Sequence, residues 1–66
     1  MSFVNYVITF KECDSPYGDL ARDISMDSNV NRRWGVAALK KYIERQNSSL
    51  CHLIDELAEW KKSGDL

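Results

Sequence analysis

Asp14-Ser15-Pro16-Tyr17-Gly18-Asp19-Leu20-Ala21-Arg22-Asp23-Ile24 carries a helix start and a helix face in one stretch. Asp14 and Ser15 are capping side chains, and Pro16 follows as the residue type that best tolerates the first helical position. Tyr17, Leu20, Ala21 and Ile24 recur at i, i+3, i+4 and i+7, while Asp19, Arg22 and Asp23 fall between them. That spacing predicts a helix with one apolar face turned inward and a charged face outward, with Met26 packing near its end.

The flanking segments repeat the pattern. Phe3, Tyr6, Val7 and Phe10 share one helical face behind a capping Ser2, which predicts a first helix over about residues 3–11. The β-branched and aromatic content there also suits a strand, but its alternation is poor and no second such run could pair with it. After the central helix comes a polar connection over 27–31 in which Val30 alone can pin the loop to a core. Val36, Leu39, Lys40 and Ile43 then share a face, with Ala37 and Ala38 beside it and Tyr42 on the flank. A third helix is expected over about 33–46. Gly35 weakens its first turn, so either the helix begins after it or another backbone approaches closely. Asn47, Ser48 and Ser49 supply the next break and cap, and Leu50, Leu53, Ile54, Leu57 and Trp60 form the longest apolar stripe, expected as a helix over about 49–62 and ended by Ser63, Gly64 and Asp65. The expectation is one all-α, four-helix domain over residues 1–66.

Length and composition narrow the function classes. Sixty-six residues exclude architectures built on parallel sheets with crossover helices. With 44% hydrophobic and 29% charged residues the chain has ordinary globular usage. A chain this short needs nearly every large apolar side chain for its own core, so no deep small-molecule site is expected. Cys13 and Cys51 lie far apart without a CxxC spacing, and His52 alone cannot complete a zinc site with them. No cofactor or metal is expected. No signal-peptide pattern opens the chain and no apolar run approaches membrane-spanning length, so reduced thiols, a cytoplasmic location and no membrane partner are expected.

The string from Asp14 through Ala21, followed by Asp23-Ile24 and Asp27, resembles the signature of the YozE SAM-like family of small bacterial proteins. Ser2-Phe3, Tyr42-Ile43-Glu44, Ala58 and Trp60 extend the resemblance over nearly the whole chain. It implies a four-helix fold similar to the sterile alpha motif, with no catalytic residue, cofactor or established biochemical function to carry over. Sterile alpha motif domains associate with protein partners, with themselves and sometimes with RNA, so the resemblance favours binding over catalysis. The chain departs from the family where Val30-Asn31 replaces a usual Phe-Pro pair ahead of Arg32-Arg33-Trp34-Gly35.

Charge is segregated even though the net is only -1. Residues 1–30 set Lys11 and Arg22 against Glu12, Asp14, Asp19, Asp23 and Asp27, a net of -3, and residues 47–66 carry -2. Between them Arg32, Arg33, Lys40, Lys41 and Arg45 face only Glu44, a net of +4. Arg32, Arg33, Trp34, Lys40, Lys41 and Arg45 are therefore the candidate macromolecule-binding residues. The leading expectation is a protein partner or self-association, in which this island meets an acidic surface and Trp34 or Tyr17 serves as anchor. The alternative is nucleic acid, with guanidinium groups on phosphate and an indole stacked on a base. A small regulatory protein that occupies another protein's site is a third class consistent with the size.

Two other constellations carry less. Ser48, His52 and Asp55 share a helix face, but a catalytic set needs an oxyanion site and a water-excluding cleft, which one exposed face lacks. Asp19, Asp23 and Asp27 recur every four residues as a ridge, and with Asp14 they lack the glycine and glutamate positions of a calcium loop. Asp14 and Asp19 instead suit the dipole at their helix N-terminus.

Overall fold

The computed structural model describes residues 1–64. It contains α1 (Phe3–Ile8), a 3-10 turn (Thr9–Glu12), α2 (Pro16–Met26), α3 (Val36–Gln46), a second 3-10 turn (Ser48–Leu50) and α4 (Cys51–Gly64). There is no strand among the described residues, so the fold is an all-α four-helix arrangement.

Helices α1 and α2 start at a capping serine. The Ser2 hydroxyl accepts from the Asn5 N–H at 3.2 Å and caps α1. Ser15 accepts from the Gly18 N–H at the head of α2, and Pro16 occupies the first turn. Helix α1 is shorter than the expected 3–11. From Thr9 the chain tightens into the 3-10 turn, and the Thr9 hydroxyl donates to the Tyr6 carbonyl.

Helix α3 starts at Val36 rather than near residue 33, because Gly35 is extended (φ -85°, ψ -170°) and serves as its N-cap. Nothing lies within 4 Å of the Cβ position at Gly35, so no close backbone approach explains this glycine. The fourth helix is preceded by a 3-10 turn in which the Asn47 carboxamide oxygen accepts from the Ser49 N–H. Helix α4 then runs through Gly64, past the expected stop, and Asp65 lies outside the described residues.

All four helices contribute to one core. Phe3, Val4 and Val7 of α1 meet Leu20, Ala21 and Ile24 of α2, Leu39 and Ile43 of α3, and Leu53, Ile54 and Leu57 of α4. Val30 joins them from the connection, as its position between polar residues predicts. A radius of gyration of 10.7 Å matches the roughly 11 Å of a compact chain of this length. Met26 departs from expectation: it is 85% exposed at the last residue of α2, beyond Ile24, the last buried residue of that helix. No helix among the described residues is long and apolar enough to cross a membrane.

Candidate functional site

The connection between α2 and α3 is built from two successive side-chain-to-backbone turns. Asp27 Oδ1 accepts from the Asn29 N–H at 2.9 Å, and the Asp27 carbonyl accepts from the Val30 N–H. Asn31 repeats the device: its Oδ1 accepts from the Arg33 N–H at 2.8 Å and its carbonyl from the Trp34 N–H at 3.0 Å. Short Asx side chains favour such turns because they mimic a backbone carbonyl. Val30, buried between the two turns, anchors the loop, and the Ser2 hydroxyl donates to the Arg32 carbonyl from the other side. Trp34 therefore emerges from an ordered loop, not a free one.

Trp34 leans on Tyr42 of α3, with ring centroids 5.4 Å apart and planes inclined by 51°. Both rings are half-buried against the core's edge. The Tyr42 hydroxyl donates to the Asp27 carboxylate, closing a path from the end of α2 through the loop to α3. That bond holds the Asp27 carboxyl below its usual range, helped by the Asn29 N–H, and raises the Tyr42 hydroxyl above the ordinary tyrosine value.

Trp34, Ala38, Lys41, Tyr42 and Arg45 line an open groove of about 340 Å³. Positions 38, 41, 42 and 45 form an i, i+3, i+4, i+7 stripe lying about half a turn round α3 from the core stripe of Val36, Leu39 and Ile43. The exposed Ala38 leaves the floor of the groove open, and Lys41 and Arg45 stand one turn apart beside it. Neither cation has a hydrogen-bond or ion-pair partner among the described residues.

The six sequence candidates thus separate. Trp34, Lys41 and Arg45 meet in the groove. Arg33 is exposed on the loop beside Trp34. The Arg32 guanidinium turns back and donates to the Ser25 carbonyl at 3.3 Å. Lys40, one position from Lys41 but about 100° round the helix, points to the α3–α4 seam and pairs with Asp55 at 2.9 Å. The Asp55 hydrogen bond and charge raise the Lys40 ammonium above its ordinary value. Ala38 and Tyr42, which the sequence sets beside and on the flank of the apolar face of this helix, join the site in the structure. The helical spacing 38, 41, 42, 45 is the signal that groups them.

The remaining constellations stay apart. Asp55 is committed to Lys40, and no hydrogen bond joins it to Ser48 or His52 among the described residues. Asp19 pairs with Arg22 along α2, and Asp27 with Tyr42. No group of acidic, histidine or cysteine side chains suited to a metal ion occurs among the described residues. Cys13 and Cys51 are not bridged. Tyr17 donates to Glu56 of α4 and packs on Trp60 at 4.8 Å, so this second anchor candidate is tied into a satellite aromatic cluster with Phe10. The Glu56 hydrogen bond raises the Tyr17 hydroxyl above the ordinary value.

Comparisons of this chain with protein-family models, with curated proteins and with solved structures give no match.

Proposed function

We propose that this chain is a non-enzymatic interaction module of the YozE SAM-like type, which binds a protein partner through the basic surface of residues 32–45. The observation that carries this reading is the pair of unpartnered cations, Lys41 and Arg45, set beside the half-buried Trp34–Tyr42 pair. Aromatic anchors rimmed by charge are the usual composition of a contact whose apolar centre gives affinity and whose rim sets orientation. Arg33 extends the rim.

The acidic stretch of α2 on a second copy would be one way to meet this surface, and an acidic patch on a different protein another. Nucleic acid is the second reading, supported by the neighbouring guanidinium and indole groups of Arg33 and Trp34. Two measurements separate these. Binding to mixed short DNA and RNA at about 50 and 200 mM salt should be weak and without the steep salt slope that phosphate contacts produce. Affinity capture with the tagged protein should retain a partner that the Arg32→Ala, Arg33→Ala, Trp34→Ala triple variant loses. A captured set unchanged by the triple variant, with its helicity intact, refutes the assignment.

A further inference from the structure

Resting on that reading, we infer that the Trp34–Tyr42 groove is a docking site for a short acidic peptide segment that places one aromatic or large aliphatic side chain over Ala38 and flanking carboxylates on Lys41 and Arg45. Three features of the groove select this chemistry. Its floor is apolar and shallow, with the two rings on one side and the Ala38 methyl beneath, and a volume of about 340 Å³ admits one large side chain and part of a backbone. Its rim offers two cations that nothing among the described residues neutralises, whereas Lys40 on the same helix is already satisfied by Asp55. The complementary ligand therefore carries two or so negative charges spaced around an apolar group.

The third feature argues against a long polyanion. Tyr42 is a wall shared with an adjoining seam of about 220 Å³ that is lined by Asp23 and Asp27. A nucleic acid strand leaving the groove on that side would bring its phosphates toward two carboxylates, and like charges held together are unfavourable. A peptide ends its charge where its sequence does. The positive surface is compact, bounded by acid, and suits a local cluster of carboxylates over a continuous phosphate chain.

The structure supplies an internal control. The protein has two tryptophans, and Trp60 lies in the separate cluster with Phe10 and Tyr17. Two indole N–H signals in a ¹H–¹⁵N spectrum thus report on the proposed site and on the Phe10–Tyr17–Trp60 cluster. The probe is the acetylated, amidated pentapeptide GEFEG, titrated against GQFQG, GEAEG and a twelve-nucleotide oligo-dT. GEFEG should move the Trp34 indole and the α3 amides saturably, with a Kd on the order of 1 mM or tighter, and leave Trp60 in place. Replacing both carboxylates or the phenylalanine should weaken binding about tenfold, since exposed ion pairs and one apolar anchor each contribute modestly.

On the protein, the Lys41→Gln, Arg45→Gln pair should weaken GEFEG by a similar factor, and Ala38→Glu should abolish binding by filling the floor with a like charge. All three positions are solvent-facing, so these variants keep the fold. No saturable Trp34 shift up to about 10 mM overturns the inference, as does equal binding of GQFQG, a response centred on Trp60, or a response to oligo-dT alone. If the peptide fails while partner capture still depends on Arg32, Arg33 and Trp34, the interaction module stands and the groove's ligand chemistry falls. If capture is also indifferent to those residues, both fall.

Discussion

Replacing Gly18 with alanine should cost this fold a large share of its stability, although Gly18 sits in a helix where alanine is ordinarily the better residue. Its backbone is not left-handed, so the reason lies in space. A Cβ at Gly18 would stand 1.9 Å from the Cys13 carbonyl oxygen, 2.8 Å from the Cys13 carbonyl carbon and 3.2 Å from the Phe10 carbonyl oxygen. These atoms belong to the backbone entering α2, so no side-chain rotation relieves the contact. Restoring an ordinary separation requires a shift of about 1.5 Å at the first turn of α2, which also holds Leu20, Ala21 and Ile24 in the core. Overpacking of this kind costs about 1–3 kcal/mol or more, offset by at most about 1 kcal/mol of improved helix propensity. Because the clash is with backbone, the cost lies at the upper end of that range, and a net loss of about 2 kcal/mol is expected against a total of roughly 3–10 kcal/mol for a chain of this size. Urea unfolding followed by circular dichroism should show the midpoint lowered by about 2 M, taking a slope near the small-protein limit of about 1 kcal/mol/M. Gly64→Ala, where nothing lies within 4 Å, should be neutral or stabilising by up to about 1 kcal/mol. A Gly18→Ala midpoint within about 0.5 M of the parent, or equal losses at both glycines, would refute the close-approach argument.

Other expectations are as concrete. Because the Tyr42 hydroxyl and the Asn29 N–H hold the Asp27 carboxyl below its unfolded value, their contribution is complete above the unfolded carboxylate pKa and is lost as pH falls through the lower folded one. Tyr42→Phe should therefore lower the unfolding midpoint at neutral pH and flatten its decline between pH 4 and the acid limit; an unchanged acid profile counts against it. Tyr17 and Tyr42 are raised, so their contributions hold below the ordinary tyrosine value and disappear as pH climbs through the folded values. Ultraviolet titration should find two tyrosines ionising later in the native protein than in urea, and Tyr17→Phe should remove one of them. Asn31→Ala deletes the turn that holds the Arg33 N–H and should cost about 1 kcal/mol while shifting the Trp34 indole signal more than that of Trp60. Equal shifts at the two indoles would mean that Asn31 does not position Trp34.

The fold was legible wherever apolar periodicity coincided with a capping residue. Ser2, and Ser15 with Pro16, mark helix starts in the sequence and cap helices in the structure, and the stripe over 53, 54 and 57 is buried as spaced. Starts were less sharply marked where the cap is not a side chain, as at Gly35, after which a start was one of two readings, or where a 3-10 turn intervenes, as before Cys51. Such turns keep the apolar spacing while changing the hydrogen-bond register, so pattern alone does not reveal them. Gly18 is the sharper case: its role depends on two carbonyls brought over it by the chain's reversal through residues 13–15, which no local rule contains. The basic island was visible as composition, and helical spacing already set Lys40 on the Val36, Leu39 and Ile43 face, apart from its neighbour Lys41. What spacing within one helix does not contain is the partner: Asp55 on the neighbouring helix neutralises Lys40, and nothing among the described residues does so for Lys41.

That division also decides between the protein's two tryptophans as the mark of a binding surface. Exposure alone would choose Trp60, which is 44% accessible, while Trp34 is half-buried. Isolated exposed apolar groups are common on folded surfaces and identify little by themselves. Trp60 is held between Phe10 and Tyr17, and the nearby Glu56 is already engaged by the Tyr17 hydroxyl. Trp34 has its ring fixed by Tyr42 and its backbone fixed by Asn31, yet the cations beside it are fixed by nothing among the described residues. A rigid anchor reduces the ordering cost of binding, and unspent charge supplies orientation. The α3 groove is chosen because its positioned ring stands beside two unpartnered cations one helical turn apart, a paired charge that can orient a ligand, and not because of the area of ring exposed.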